Sequence, residues 1–127
     1  MADITIMDAR PTPEALLPLP DAELEILLAL AEGEAHGYAI MQAVERRSEG
    51  RTRLGPGTLY AALKRLLVAR LIEETGERRA ERDDSRRRYY RVTDFGSRVL
   101  AAELDRLSAL VRHGRRRLRL LPQGERP

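Results

Sequence analysis

Between residues 100 and 121 the apolar residues Leu100, Leu104, Leu107, Val111, Leu118 and Leu121 recur at alternating steps of four and three, with Gly114 filling the remaining position. A helix with that rhythm, about 3.5 residues per repeat, carries an apolar seam along its whole length. A chain of 127 residues builds one modest core, too small to cover such a seam by itself. An open leucine seam invites aggregation, so the pattern calls for a second copy of the helix against it. A helix over 94–121 is therefore expected, capped by Thr93, ended by Pro122, with those six residues as the dimer contacts. Either it is continuous, with Gly114 letting two helices approach closely, or its first segment ends at His113. Phe95 and Val99, at its start, are expected to pack on the body of the domain.

The remainder of the chain reads as short elements. Prolines 11, 13, 18 and 20 leave residues 1–20 as a flexible arm, with one short turn started at Thr12-Pro13-Glu14. Asp21 is expected to cap a helix over 22–32, apolar nearly all round and hence central, which Gly33 ends. A second helix runs from about Gly37 to Ser48 on a stripe of Ile40, Met41 and Val44. "RTRL" (51–54) alternates like a short edge strand. A third helix starts at Pro56. "LIEET" (71–75) and "RYYRV" (88–92) are strand-like, and the polar "GERRAERDDSRR" joins them. Side chains alternate along a strand, so Tyr90 shares a face with Val92 toward the core and Tyr89 points outward. The order is mainly α with a small β-hairpin: a winged helix-turn-helix over 21–93, the dimerisation helix over 94–121, and a tail at 122–127.

Little in the chain suggests catalysis. There is no cysteine, and the two histidines, His36 and His113, stand in no metal-ligand spacing. No nucleophile motif or glycine-rich phosphate loop occurs, so neither an enzyme nor a cofactor is expected. No apolar run is long enough for a membrane span, and the start lacks the basic and apolar regions of a signal peptide, which points to the cytoplasm. Charge is more informative. Lys and Arg total 23 against 20 acids, and Lys64 is the single lysine. Arginines cluster at 78–91 and 112–119, while acids predominate before residue 50. A separated basic surface is the footprint of a nucleic-acid partner.

The third helix, in "GPGTLYAALKRL", fits that partner. At about 100° per residue, Leu59, Leu63, Leu66 and Leu67 share one face. Gly57, Thr58, Ala61, Lys64, Arg65 and Val68 occupy the other, with Tyr60 at the flank. The small residues keep that face thin enough for a major groove about 12 Å wide. Thr58, Lys64 and Arg65 reach phosphates or base edges. The wing would add Arg86, Arg87 and Arg88. Tyr38 follows His36 at a helix start, where free N–H groups can hold a phosphate, although a capping His36 and a packing Tyr38 fit equally. A solvated basic helix and a solvated charged loop also remain open. So does a reading of another class, a winged-helix module whose basic face meets an acidic partner protein.

"AHGYAIMQAVERRS", "GPGTLYAALKRL", "LIEE", an arginine-rich loop and "RRRYYRVTDFG", in this order, resemble the PadR family of bacterial transcriptional regulators over roughly residues 22–112. The resemblance implies a homodimeric repressor on a double-stranded operator with inverted repeats, released by a small-molecule effector. It also implies that the long C-terminal helix makes much of the dimer interface, as in short members of the family. Arg70 stands where members commonly have glycine. The chain has no tryptophan and Phe95 is its only phenylalanine, which argues against a pocket that stacks flat aromatic drugs.

Overall fold

Leucine, isoleucine and valine side chains from four helices and a small sheet meet in one core. The computed structural model describes residues 11–77 and 87–122, with the backbone alone at 78–79 and 86. The arm as far as residue 10, the hairpin tip at 80–85 and the tail beyond 122 lie outside the described residues. Helices α1 (Asp21–Leu30), α2 (Gly37–Arg47) and α3 (Pro56–Val68) precede strands β2 (Ile72–Arg79) and β3 (Arg86–Val92), and α4 (Asp94–Arg119) follows. A two-residue strand, β1 (Ala35–His36), completes an antiparallel sheet in the order β1-β3-β2. Ile26 and Leu27 of α1 are fully buried, packed among Ile40, Val44, Leu59 and Leu63. Tyr90 is buried and Tyr89 only partly so, as strand alternation requires.

Three local expectations are corrected. Pro20, not Asp21, is the N-cap of α1, and Asp21 lies in the first turn, where its charge still meets the positive end of the helix dipole. The edge strand is Ala35–His36 rather than "RTRL". Glu49 (φ 55°) and Gly50 (φ 81°) turn the chain sharply after α2. Ser48 Oγ then takes the amide of Thr52 at 2.9 Å, so this backbone is occupied by the turn. Ala35 and His36 instead lie opposite Tyr90 and Tyr89 on the open edge of β3. Finally, residues 13–20 are no free arm. Pro13–Leu16 form one 3-10 turn capped by Thr12, and Leu19 is buried in the core.

The start of α4 is held by several contacts at once. Thr93 Oγ1 accepts from the Gly96 amide at 2.9 Å and donates to the Arg70 carbonyl at 2.7 Å. The Thr93 amide donates to the Leu71 carbonyl at 3.0 Å. Helix and strand approach so closely here that a Cβ on Gly96 would come within 1.9 Å of the Leu71 oxygen. Arg70 takes the left-handed turn between α3 and β2 at φ 65°, a conformation suited to glycine. Helix α4 then continues through Gly114 without a break. Leu100, expected at a dimer contact, is only 7 % exposed and belongs to the protomer's own core. The first turns of α4 rest on the domain body, which absorbs their apolar residues. Among the described residues, none of α4 beyond Glu103 is buried, and Leu104 and Val111 are 43 % and 52 % exposed.

Glu103 is itself buried. Its Oε2 accepts from the amide of Leu19 at 3.0 Å, and Arg106 Nε donates to Oε1 at 2.6 Å. The Arg106 bond, reinforced by the Leu19 amide, holds this carboxyl below the usual carboxylate range against the opposing effect of burial.

Gly96→Ala should destabilise the fold by at least about 1–3 kcal/mol, because the new methyl meets backbone rather than a side chain that can move. Chemical denaturation will measure it. Glu103→Ala should leave the buried Leu19 amide without an acceptor, at a cost of about 1–3 kcal/mol. Hydrogen exchange should quicken at Leu19 while the core of α3 stays protected. In the wild type the same release should occur only as pH falls below the ordinary carboxylate value and through the lowered value of Glu103.

Candidate nucleic-acid interface

Leu59, Ala62, Leu63 and Leu66 are buried on the inner side of α3, so Gly57, Thr58, Ala61 and Lys64 are left on its exposed side. The helix starts on Gly55 and Pro56 with no side-chain cap, and Pro56 has no N–H to satisfy. No ion pair or side-chain hydrogen bond of Lys64 or Thr58 is found among the described residues. Arg65 differs from Lys64. Its guanidinium grips the carboxylate of Glu23 with Nε at 2.7 Å and a terminal nitrogen at 3.2 Å, and Glu23 is buried. Arg65 therefore ties α3 to α1. A bidentate arginine neutralises a carboxylate that the core could not otherwise hold.

The start of α2 lies beside this face. His36 caps α2, its Nδ1 accepting from the Ala39 amide at 3.1 Å. Gly37 is buried, and a Cβ there would approach Tyr60 Oη to 2.7 Å. The glycine thus lets Tyr60 of α3 lie across the first turn of α2. Tyr38 and Tyr60 are both exposed, at 54 % and 53 %.

Strand β3 brings the wing to the same place. Arg87 reaches His36, with a guanidinium nitrogen 2.9 Å from Nε2, and its charge sits 5.8 Å from the centre of the Tyr38 ring. That position favours a cation over an aromatic face. Tyr89 meets the His36 ring edge-on at 5.3 Å. Arg88 is shared between Glu77 and Glu74, at 3.4 and 3.5 Å. Arg91 pairs with Glu73 at 2.6 Å. The arginines of the wing stem are thus largely engaged with its own acids. Arg86, also expected here, has its side chain outside the described residues.

His36, Tyr38, Tyr60, Glu77, Arg87, Arg88 and Tyr90 line one open cavity of about 510 Å³. Of the eight residues expected from the sequence, Tyr38, Tyr60, Arg87 and Arg88 meet in this cavity, and Thr58 and Lys64 stand on the exposed side of α3. Sequence reasoning left His36 open between cap and anion contact. Its neighbour Arg87 is far away in the chain, so no local pattern could have joined them. Burial and the positive charge of Arg87 both hold His36 below the ordinary histidine value. Among the described residues no group of three or more His, Cys, Asp or Glu could hold a metal ion, and no helix is long and apolar enough to cross a membrane.

Residues 26–102 match the family described as "Transcriptional regulator PadR-like family". A 37.1 kDa protein of transposon TN4556 from Streptomyces fradiae is 39 % identical over 90 residues, which cover 71 % of this chain. The chain spans only about a quarter (24 %) of that relative's length. A PadR family transcription regulator from Clostridium difficile R20291 has the same fold with a TM-score of 0.66, at 24 % identity, covering 78 % of this chain and 99 % of that one. Bacillus subtilis PadR, solved in complex with operator DNA, gives a TM-score of 0.59 at 23 % identity, covering 68 % of this chain and 48 % of that one. With a matching family model over most of its length, a helix-turn-helix, a three-stranded wing and one long terminal helix, the chain belongs to the PadR-like family of transcriptional regulators.

Proposed function

We propose that the protein represses transcription as a homodimer on an inverted-repeat operator, acting in the cytoplasm. In this reading α3 lies in the major groove, and the cavity between α2, α3 and the wing takes the adjoining phosphate backbone. The observation that carries it is the convergence of Tyr38, Tyr60 and Arg87 beside the exposed side of α3. These residues come from three separate elements and line one cavity, and Tyr60 shares α3 with the exposed Thr58 and Lys64. Thr58, Tyr60 and Lys64 meet base edges or phosphates along the groove, while Tyr38, Arg87, Arg88 and Arg86 hold the backbone beside it. Arg65 is withdrawn to the scaffold by Glu23. Operator DNA in the structure of Bacillus subtilis PadR supports the reading by analogy of fold. Release by a small-molecule effector rests on family resemblance alone.

The dimer is supported by the exposed stripe Leu104, Val111, Leu118 and Leu121, with half-buried Leu107 on the same seam. A groove of about 630 Å³ between α1, β3 and α4, lined in part by Leu30, Val92 and Leu104, continues that apolar surface onto the domain body. A second copy of α4 would cover both, and its two-fold axis would set two α3 helices roughly one DNA turn apart.

Lys64→Ala should weaken binding to the DNA just upstream of the protein's own coding sequence. It should also lower the slope of log affinity against log salt by about 0.9 if a single phosphate contact is lost. Fluorescence anisotropy over a salt series measures both. Unchanged affinity in a folded Lys64→Ala would favour an acidic protein as the partner of this face. Arg65→Ala is unsuited to the experiment, since it strands buried Glu23.

Leu104→Glu with Leu107→Glu should convert dimer to monomer or soluble aggregate in light scattering, with operator binding lost alongside. A double variant that remains dimeric and binds would place the interface elsewhere.

A further inference from the structure

The ring of His36 faces a hydrogen-bond donor on each side. Nδ1 lies 3.1 Å from the Ala39 amide and accepts from it, so the proton of the neutral ring is on Nε2. That N–H points at a guanidinium nitrogen of Arg87 only 2.9 Å away. Arginine donates and never accepts. Two donors at hydrogen-bonding distance satisfy neither group, so among the described residues the pair has no acceptor. The other groups around the ring do not make good that lack. Tyr89 of β3 presents its ring edge-on, and Tyr38 of α2 lies under Arg87. Tyr60 of α3, Tyr90 of β3 and Arg88 complete the lining, and Glu77 of β2, the one carboxylate among the described lining residues, is turned to Arg88.

We propose that His36 and Arg87 together clamp one phosphate of the DNA backbone, and that DNA binding is coupled to uptake of a proton by His36. This rests on the DNA-binding reading above and adds to it a residue and a linkage. A phosphate oxygen is the acceptor that both donors lack. It also reverses the electrostatics at the ring. In the free protein burial of the ring, and after it the charge on Arg87, oppose imidazolium formation and lower the affinity of His36 for a proton. With a phosphate between them the second proton is favoured. Protonation puts that proton on Nδ1 and forfeits the Ala39 cap, but it does so in free and bound protein alike, so the loss cancels in the difference between them. The proton affinity of His36 is then higher in the complex than in the free protein. By linkage, DNA binding strengthens as pH falls through the histidine range, by at most about tenfold per pH unit for one proton.

The sequence contains two histidines, which makes the test specific. Affinity for a fluorescein-labelled duplex of random sequence is measured by anisotropy at fixed ionic strength, between about pH 7.5 and 5.5. Random sequence suffices because a phosphate contact does not read bases. The wild type and His113→Asn should both bind several-fold more tightly at the acid end. His36→Asn, which keeps a capping side chain, should bind with no pH response. In the wild type, the His36 ring followed by NMR should titrate at higher pH when the duplex is present, a measurement that needs no variant to fold. A flat wild-type profile, a response that survives in His36→Asn, or an unmoved His36 titration would each overturn the proposal while leaving the DNA reading intact. No binding of the duplex at any pH or salt would overturn both.

Discussion

The first turn of α4 lies directly on the carbonyl of Leu71, and the placement of both the wing and the long helix follows from that contact. It requires a residue with no side chain at position 96, since any Cβ would meet the Leu71 oxygen. Thr93 closes the arrangement by capping α4 and bonding the backbone on both sides of the α3–β2 turn. One joint thus sets the end of the α3–β2 turn, the base of the wing and the direction of α4. The close spacing of threonine and glycine in "RVTDFG" is accounted for by this geometry. Each residue meets a different demand of a single backbone approach.

Buried charge plays a second structural role. Glu23 and Glu103 are both carboxylates inside the fold, and each is held by an arginine at the surface. The pairs are costly to break, because a lone carboxylate in the core has no water to stabilise it. Glu23 joins α1 to α3, and Glu103 joins the N-terminal segment to α4. An arginine-rich chain therefore does not offer all of its positive charge to a partner. In the described wing, Arg88 and Arg91 are likewise balanced by acids on β2. Among the described residues, the cavity arginine with no carboxylate partner is Arg87, whose near neighbours are a histidine and a tyrosine ring.

The helix periods, the inward leucines of α3, the Thr93 cap and the opposite orientations of Tyr89 and Tyr90 were all legible in the sequence. They depend on interactions within a few residues, and the side-chain rhythm records them directly. The family was legible for the same reason, through short motifs whose residues each serve a local turn or a contact. Local rules also misled. "RTRL" alternates like a strand, yet the hydrogen bonds of Ser48 to Thr52 occupy its backbone, and the edge of β3 is taken by Ala35–His36.

The sequence by itself determined which faces are apolar, where α2, α3 and α4 begin, and that the molecule is a basic, cysteine-free winged helix of the PadR-like kind. Only the tertiary structure decided which charges are spent inside the fold and which face outward. Arg65 and Lys64 are neighbours in the same basic pair, but a buried carboxylate on α1 claims one and leaves the other exposed. Leu100 and Leu104 are equivalent members of one seam, but the domain body covers the first and not the second. His36 meets Arg87 only because β1 pairs with β3. Each of these outcomes turns on a partner distant in the chain, and local periodicity carries no information about which distant surface a residue will meet.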